Sequence, residues 1–249
     1  MTTKATEKSM SRSFSLALRK GKVQIRNKNV VNWVSELVAH NGVADFVLTP
    51  TALSGERLKW AMQIASCIST PAAAKIVASL KVSEYTGVEE IVESTGLSRR
   101  TVDTTFRRLV MDGGIAKGSS HKGFKLQKAI RVSDIELWAY ELKLRDWKHG
   151  MYQALQYKAF AHSVAIVLPK EAISNVMRRL DSFKLYNVGV LIFDAKTGKL
   201  NVLVPPRKSN PSSLAHYLFA LSVFVRRVST KRLYSSTERS PIIRSKVKR

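Results

Sequence analysis

The stretch from Ala139 to Tyr157, AYELKLRDWKHGMYQALQY, constrains this chain more than any other. It opens as an apolar strand and continues as an amphipathic helix. The strand carries Glu141 and Lys143 two positions apart, so both side chains project from one face. Gln153 and Tyr157, four apart, share one face of the helix. A carboxylate and an amine in the middle of an apolar strand need partners, because burying an unpaired charge is costly.

Strand, Glu-x-Lys, helix and Gln-x-x-x-Tyr in this order resemble the catalytic core of the PD-(D/E)XK, or restriction-endonuclease-like, nuclease superfamily. Another apolar run, Val164 to Leu168, follows as that pattern requires. The resemblance covers roughly residues 124–228. It implies an α/β fold in which a mixed sheet is flanked by helices. It also implies that Glu141 and an upstream aspartate hold Mg²⁺ or Mn²⁺, that Lys143 is the catalytic amine, and that Gln153 and Tyr157 steady the site. The strand–helix alternation itself independently argues for a mixed sheet covered by helices.

The upstream aspartate is the difficulty. Asp134 is the nearby candidate metal ligand, but seven residues of extended strand span ~23 Å, too far to share an ion with Glu141. Glu136 is nearer and falls on the opposite pleat face. A third source lies early in the chain: Glu36 and Asp45 would then open the nuclease fold, with the intervening segment inserted behind them.

Residues 67–127 carry a second pattern. Helices are expected over 72–80 and 88–94, then a turn at Thr95-Gly96-Leu97. A longer helix, 99–112, is capped by Ser98 and has Val102, Phe106, Leu109 and Val110 at helical spacing. A Gly-flanked tip, 118–123, lies between two short strands. This sequence resembles a winged helix-turn-helix domain. Arg99, Arg100, Thr104 and Arg107 would face a major groove, with His121 and Lys122 at the wing reaching the backbone. A winged helix used for protein contacts, its arginines merely solvated, is the alternative.

The charge agrees with a polyanionic partner. Forty-two Lys and Arg against 18 Asp and Glu give a formal net charge of +24, which attracts polyanions, nucleic acid being the commonest; a ribosome-associated protein and an anionic-membrane binder are the alternatives. No run reaches the ~20 apolar residues of a membrane span. The single Cys67 excludes an intramolecular disulfide framework and points to a reducing, cytoplasmic setting. The five histidines show no metal-ligand spacing, and no Gly-rich phosphate loop is present.

The expected organisation is a basic flexible arm (1–28), a helical N-terminal region (29–66), the winged helix (67–127), the nuclease-like domain (128–229) and a basic tail (230–249). A helix is expected over 29–40, and a hairpin joining 124–130 to 135–144. The sequence-level function is a Mg²⁺-dependent DNA endonuclease targeted by its winged helix. The alternative is a nuclease-like domain that binds DNA or regulates transcription without cutting. A palindrome-cutting enzyme would be a homodimer.

Overall fold

The computed structural model describes residues 6–25, 28–30, 32–39, 42–118, 123–127 and 135–237. The first helix, α1 (Glu7–Arg19), begins with a reciprocal cap between Thr6 and Ser9. A minimal strand pair, β1 (Gln24–Ile25) and β2 (Lys28–Asn29), leads to a long hairpin, β3 (Asn32–Ala39) and β4 (Gly42–Thr49). Four helices follow: α2 (Gly55–Cys67), α3 (Pro71–Ser79), α4 (Val88–Thr95) and α5 (Arg99–Met111). Strands β5 (Ile115–Lys117) and β6 (Phe124–Leu126) form a small antiparallel pair, which Thr86 joins by a bridge to Phe124.

The chain then enters β7 (Trp138–Leu142), α6 (Trp147–Tyr157) and β8 (Ser163–Pro169). A 3₁₀ turn (Lys170–Ala172) precedes α7 (Ile173–Met177) and α8 (Leu180–Leu185). Strands β9 (Gly189–Asp194) and β10 (Lys199–Val204) and the long α9 (Leu214–Thr237) complete it.

Six strands make one mixed sheet in the order β10-β9-β8-β7-β4-β3. β7, β8 and β9 run parallel; β10, β4 and β3 join antiparallel. The fold is therefore α/β, with helices on both faces of the sheet. On one face lies α1, whose Met10, Phe14, Ala17 and Leu18 are buried against Phe46, Tyr140, Leu142 and Phe193. Phe14 meets Phe46 and Phe193 edge-on, at 4.9 and 5.2 Å between centroids. The other face is covered by α6 and α9, and α9 also packs on α2, α3 and β3.

Several expectations are corrected. Residues 7–19 are not part of a flexible arm: their apolar side chains recur at helical spacing and cover the sheet. The helix expected over 29–40 is strand β3. The boundary at 128 cuts across the sheet, because β3 and β4 from the expected helical region pair with each other and β4 pairs with β7. Residues 55–127 are thus inserted between two neighbouring strands. Among the described residues, 124–126 and 138–142 do not pair with each other as the expected hairpin of 124–130 with 135–144 requires. β6 pairs with β5, and β7 lies between β4 and β8. Among the described residues no single helix is long and apolar enough to cross a membrane; α2 and α3 reach that length and composition only as a pair bent by 116°.

Candidate functional site

Strand β7 is buried at all five positions, which leaves Glu141 2% exposed. Both oxygens of its carboxylate are engaged. Lys143 Nζ lies 2.9 Å from Oε1, and the Tyr157 hydroxyl lies 2.7 Å from Oε2. The same hydroxyl is 2.7 Å from the Val43 carbonyl oxygen. A tyrosine has one hydrogen to give, so Val43 and Glu141 share it. α6 delivers Tyr157 because the strand-to-helix turn is closed by Asp146, whose side chain accepts the His149 N–H at 3.1 Å. Lys143 reaches back over α6 at Gly150, where an added Cβ would sit 2.8 Å from Lys143 Cγ.

The second carboxylate is Asp45. The β4–β7 pairs Leu48↔Trp138, Val47↔Ala139 and Phe46↔Tyr140 put Asp45 next in line, opposite Glu141 and on the same sheet face. The pairing ends there. Instead, Asp45 Oδ2 accepts the Leu142 N–H at 2.8 Å. The ladder to β3 also skips this position, passing from Ser35↔Phe46 to Leu37↔Ala44. Glu36, the residue passed over, has φ of 52°, left-handed for a side-chain-bearing residue. Arg227 of α9 braces the distortion by donating at 2.8 Å to the Ser35 and Glu36 carbonyls.

The electrostatics follow from this crowding. Burial raises the Asp45 pKa, and the Glu141 charge adds to it. The Leu142 N–H and the Lys143 charge oppose, leaving the value at about 6 rather than 3.8. For Lys143, burial lowers the pKa, but the Glu141 hydrogen bond and charge outweigh it, with Glu7 and Asp45 adding, so the ammonium is held above its ordinary range. Burial first, then the Glu141 bond, push the Tyr157 hydroxyl up. Glu7, in the first turn of α1, acts on both Asp45 and Lys143. It also lines a cleft of about 790 Å³ with Leu144, Arg145, Asp146, Glu171 and Asn175. Glu141 and Lys143 lie at the carboxyl end of β7, the end of the parallel strands at which open α/β sheets offer a crevice.

Of the expected site residues, the structure brings Glu141, Lys143 and Tyr157 together. Gln153 lies one turn before Tyr157 on α6, and its Oε1 is buried without a hydrogen-bond partner. Asp134, His121 and Lys122 lie outside the described residues. Glu136 turns to the Trp138 indole N–H at 3.2 Å and to Lys208 at 2.5 Å. Glu7 was not visible as a site group from the sequence; Thr6 and Ser9 around it were the available signal for a helix start.

No group of three or more His, Cys, Asp or Glu able to hold a metal occurs among the described residues. The donor set fits Mg²⁺ nevertheless, because that ion commonly binds through one or two carboxylates and keeps several waters. Asp45 and Glu141 would hold it, and the orphaned Gln153 amide oxygen is a hard donor of the same kind.

On α5, Arg99 is ion-paired with Glu89 and, at 3.4 Å, with Asp103. Thr104 donates to the Arg100 carbonyl at 2.8 Å. Arg100 and Arg107 are exposed. No family model matches the chain, and comparison with curated proteins and with solved structures finds no match.

Proposed function

We propose that the chain is a metal-dependent DNA endonuclease with a restriction-endonuclease-like sheet, interrupted by an inserted winged helix that holds the substrate. The observation that carries this reading is Asp45, held against the Glu141–Lys143 pair by a residue 97 positions away from it in the chain, Leu142. Two carboxylates and an ammonium at one strand end form an economical site for phosphodiester hydrolysis. A bound Mg²⁺ would polarise the phosphate and lower the pKa of a coordinated water. Lys143 stays protonated at neutral pH, so it offsets developing negative charge rather than acting as a base. Tyr157 orients Glu141, and Asp45 becomes an anion above about pH 6. The helix–helix–helix–hairpin order of α3, α4, α5 and β5–β6, tied at Thr86, suits the winged-helix reading, and on α5 Arg100 and Arg107 are exposed and in no ion pair among the described residues.

One observation favours the non-cleaving alternative. Three of the four carboxylate oxygens of Asp45 and Glu141 already accept hydrogen bonds or an ion pair. A structural network of this kind, with DNA held elsewhere, needs no metal.

The deciding experiment incubates the full chain with labelled duplex, nicked and branched DNA, with and without Mg²⁺ or Mn²⁺. Cleavage that needs metal and disappears in Asp45→Asn and Glu141→Gln, with DNA binding retained, establishes the enzyme. Binding with no cleavage of any substrate in either metal establishes the scaffold.

A further inference from the structure

The cleft at Glu7 does not end at Arg145 and Asn175. Both residues also line a second concavity of about 630 Å³, completed by Trp147, Ser174, Arg178 and Arg179. The two clefts are therefore contiguous, and their charge balance differs. Glu7, Asp146 and Glu171 line the first along with Arg145; the second is lined by Arg145, Arg178 and Arg179 and by no acid. The arginines come from separate elements. Arg145 lies in the β7–α6 turn, and Arg178 and Arg179 in the joint between α7 and α8. All three are exposed, and none is in an ion pair among the described residues.

A merely solvated basic surface would spread its charge. Here Arg145, Arg178 and Arg179, from two separate segments, line one hollow together with Ser174 and Asn175. Like charges held together repel unless an anion sits among them, and arginine pairs with phosphate through parallel N–H donors. The acidic cleft alone would repel a phosphate. The adjoining arginine cleft would draw one in.

We propose that Arg145, Arg178 and Arg179 form a seat for the phosphodiester backbone of a nucleic-acid strand, next to the phosphate presented to Asp45, Glu141 and Lys143. This rests on the reading that the carboxylate site acts on a polynucleotide. It assigns backbone holding to the sheet unit itself, in addition to the inserted helices.

The test measures binding of a short fluorescein-labelled DNA duplex to the full chain by anisotropy, across a KCl series, in EDTA so that nothing turns over. R145A/R178A/R179A is compared with wild type and with R19A/K20A/K199A, which removes the same charge elsewhere. The inference expects at least ~10-fold weaker binding for the cleft triple and a log–log salt slope shallower by about 2–3, one counterion step per lost phosphate contact. The lysine-substituted cleft triple should keep the slope. Unchanged binding, or equal loss in the control triple, overturns the inference. So does selective loss of binding to phosphatidylserine-containing vesicles with duplex affinity intact. If wild type never cleaves but the cleft triple loses duplex binding selectively, the nuclease reading fails and the backbone seat stands. If wild type cleaves with metal and the cleft triple binds as wild type does, the reverse holds.

Discussion

Asp45 Oδ2 accepts the Leu142 N–H at 2.8 Å where the β4–β7 ladder stops, so one side chain takes over a bond the backbone would otherwise make. That substitution keeps the sheet satisfied while leaving a carboxylate beside Glu141.

Ionising Asp45 should therefore cost stability. Its folded-state pKa is about 6 against an ordinary 3.8, so between those values the folded chain holds a proton that the unfolded chain has released. Stability contributed by the protonated form is lost as pH rises through this window, and the penalty is constant above it. Two pKa units correspond to on the order of 3 kcal/mol at most, and solvent screening of this partly exposed carboxyl brings the expected effect below that. Asp45→Asn, which keeps an oxygen acceptor for Leu142, is expected to be more stable than wild type at pH 7.5 and equal to it near pH 4. Thermal or urea unfolding at both pH values checks this. The mutant being the less stable at pH 7.5 would contradict it. Stabilisation of wild type by added Mn²⁺ should in turn grow from pH 5 to 7 and be lost in Asp45→Asn.

Tyr157 ties three elements through one hydroxyl, bonded at 2.7 Å to Val43 on β4 and to Glu141 on β7 from α6. Tyr157→Phe strips the donor and leaves two acceptors short. The expected loss is about 1–2 kcal/mol in urea unfolding. A loss under about 0.5 kcal/mol, the range of an ordinary surface change, would mean the hydroxyl carries no structural weight.

Gly150 is interior to α6, where alanine should gain about 1 kcal/mol of helix propensity. Its added Cβ would instead stand 2.8 Å from Lys143 Cγ, which is near the root of that side chain. Gly150→Ala is thus expected to be neutral or destabilising in wild type, and stabilising when Lys143 is already alanine. The coupling from this four-member cycle should exceed about 0.5 kcal/mol. Additive effects would show that Lys143 does not depend on the gap.

Parts of this arrangement were legible in the sequence, and the reasons are local. α3, α4 and α5 announce themselves through Thr70-Pro71, Ser98 and the spacing of Val102, Phe106 and Leu109. β7 and α6 are legible from a short apolar run changing to helical period. β3 reads as a helix in the sequence because its strand alternation breaks at Glu36. Before it Asn32 and Val34 are buried, after it Leu37 and Ala39. The left-handed Glu36 shifts the phase by one, so Val34 and Leu37 fall three apart, as on a helix. The same break frees the position opposite Asp45. What obscured the strand in the sequence is therefore part of what shapes the site. Asp45 is legible only as one of two early-chain candidates beside Glu36, because the inserted helices separate it from Glu141 in sequence; pairing in the folded sheet is what singles it out.

The arginines of α5 are unequal, and DNA binding should reveal it. Arg99 is held by Glu89 and Asp103, so removing it loses a cation already half-neutralised and frees two acids. Arg100 and Arg107 are exposed and carry no ion pair among the described residues. Arg100→Ala with Arg107→Ala is expected to weaken binding of a short duplex about 10-fold or more and to make the salt slope shallower by about 2. Arg99→Ala alone should shift the slope by less than one contact. Circular dichroism guards against loss of α5, whose Ser98 cap accepts the Thr101 N–H at 3.2 Å and is untouched by these changes. If Arg99→Ala equals the double variant, the ion pairs do not persist in solution. If neither changes affinity, the inserted unit does not read DNA and the arginine cleft at the sheet is left to hold it.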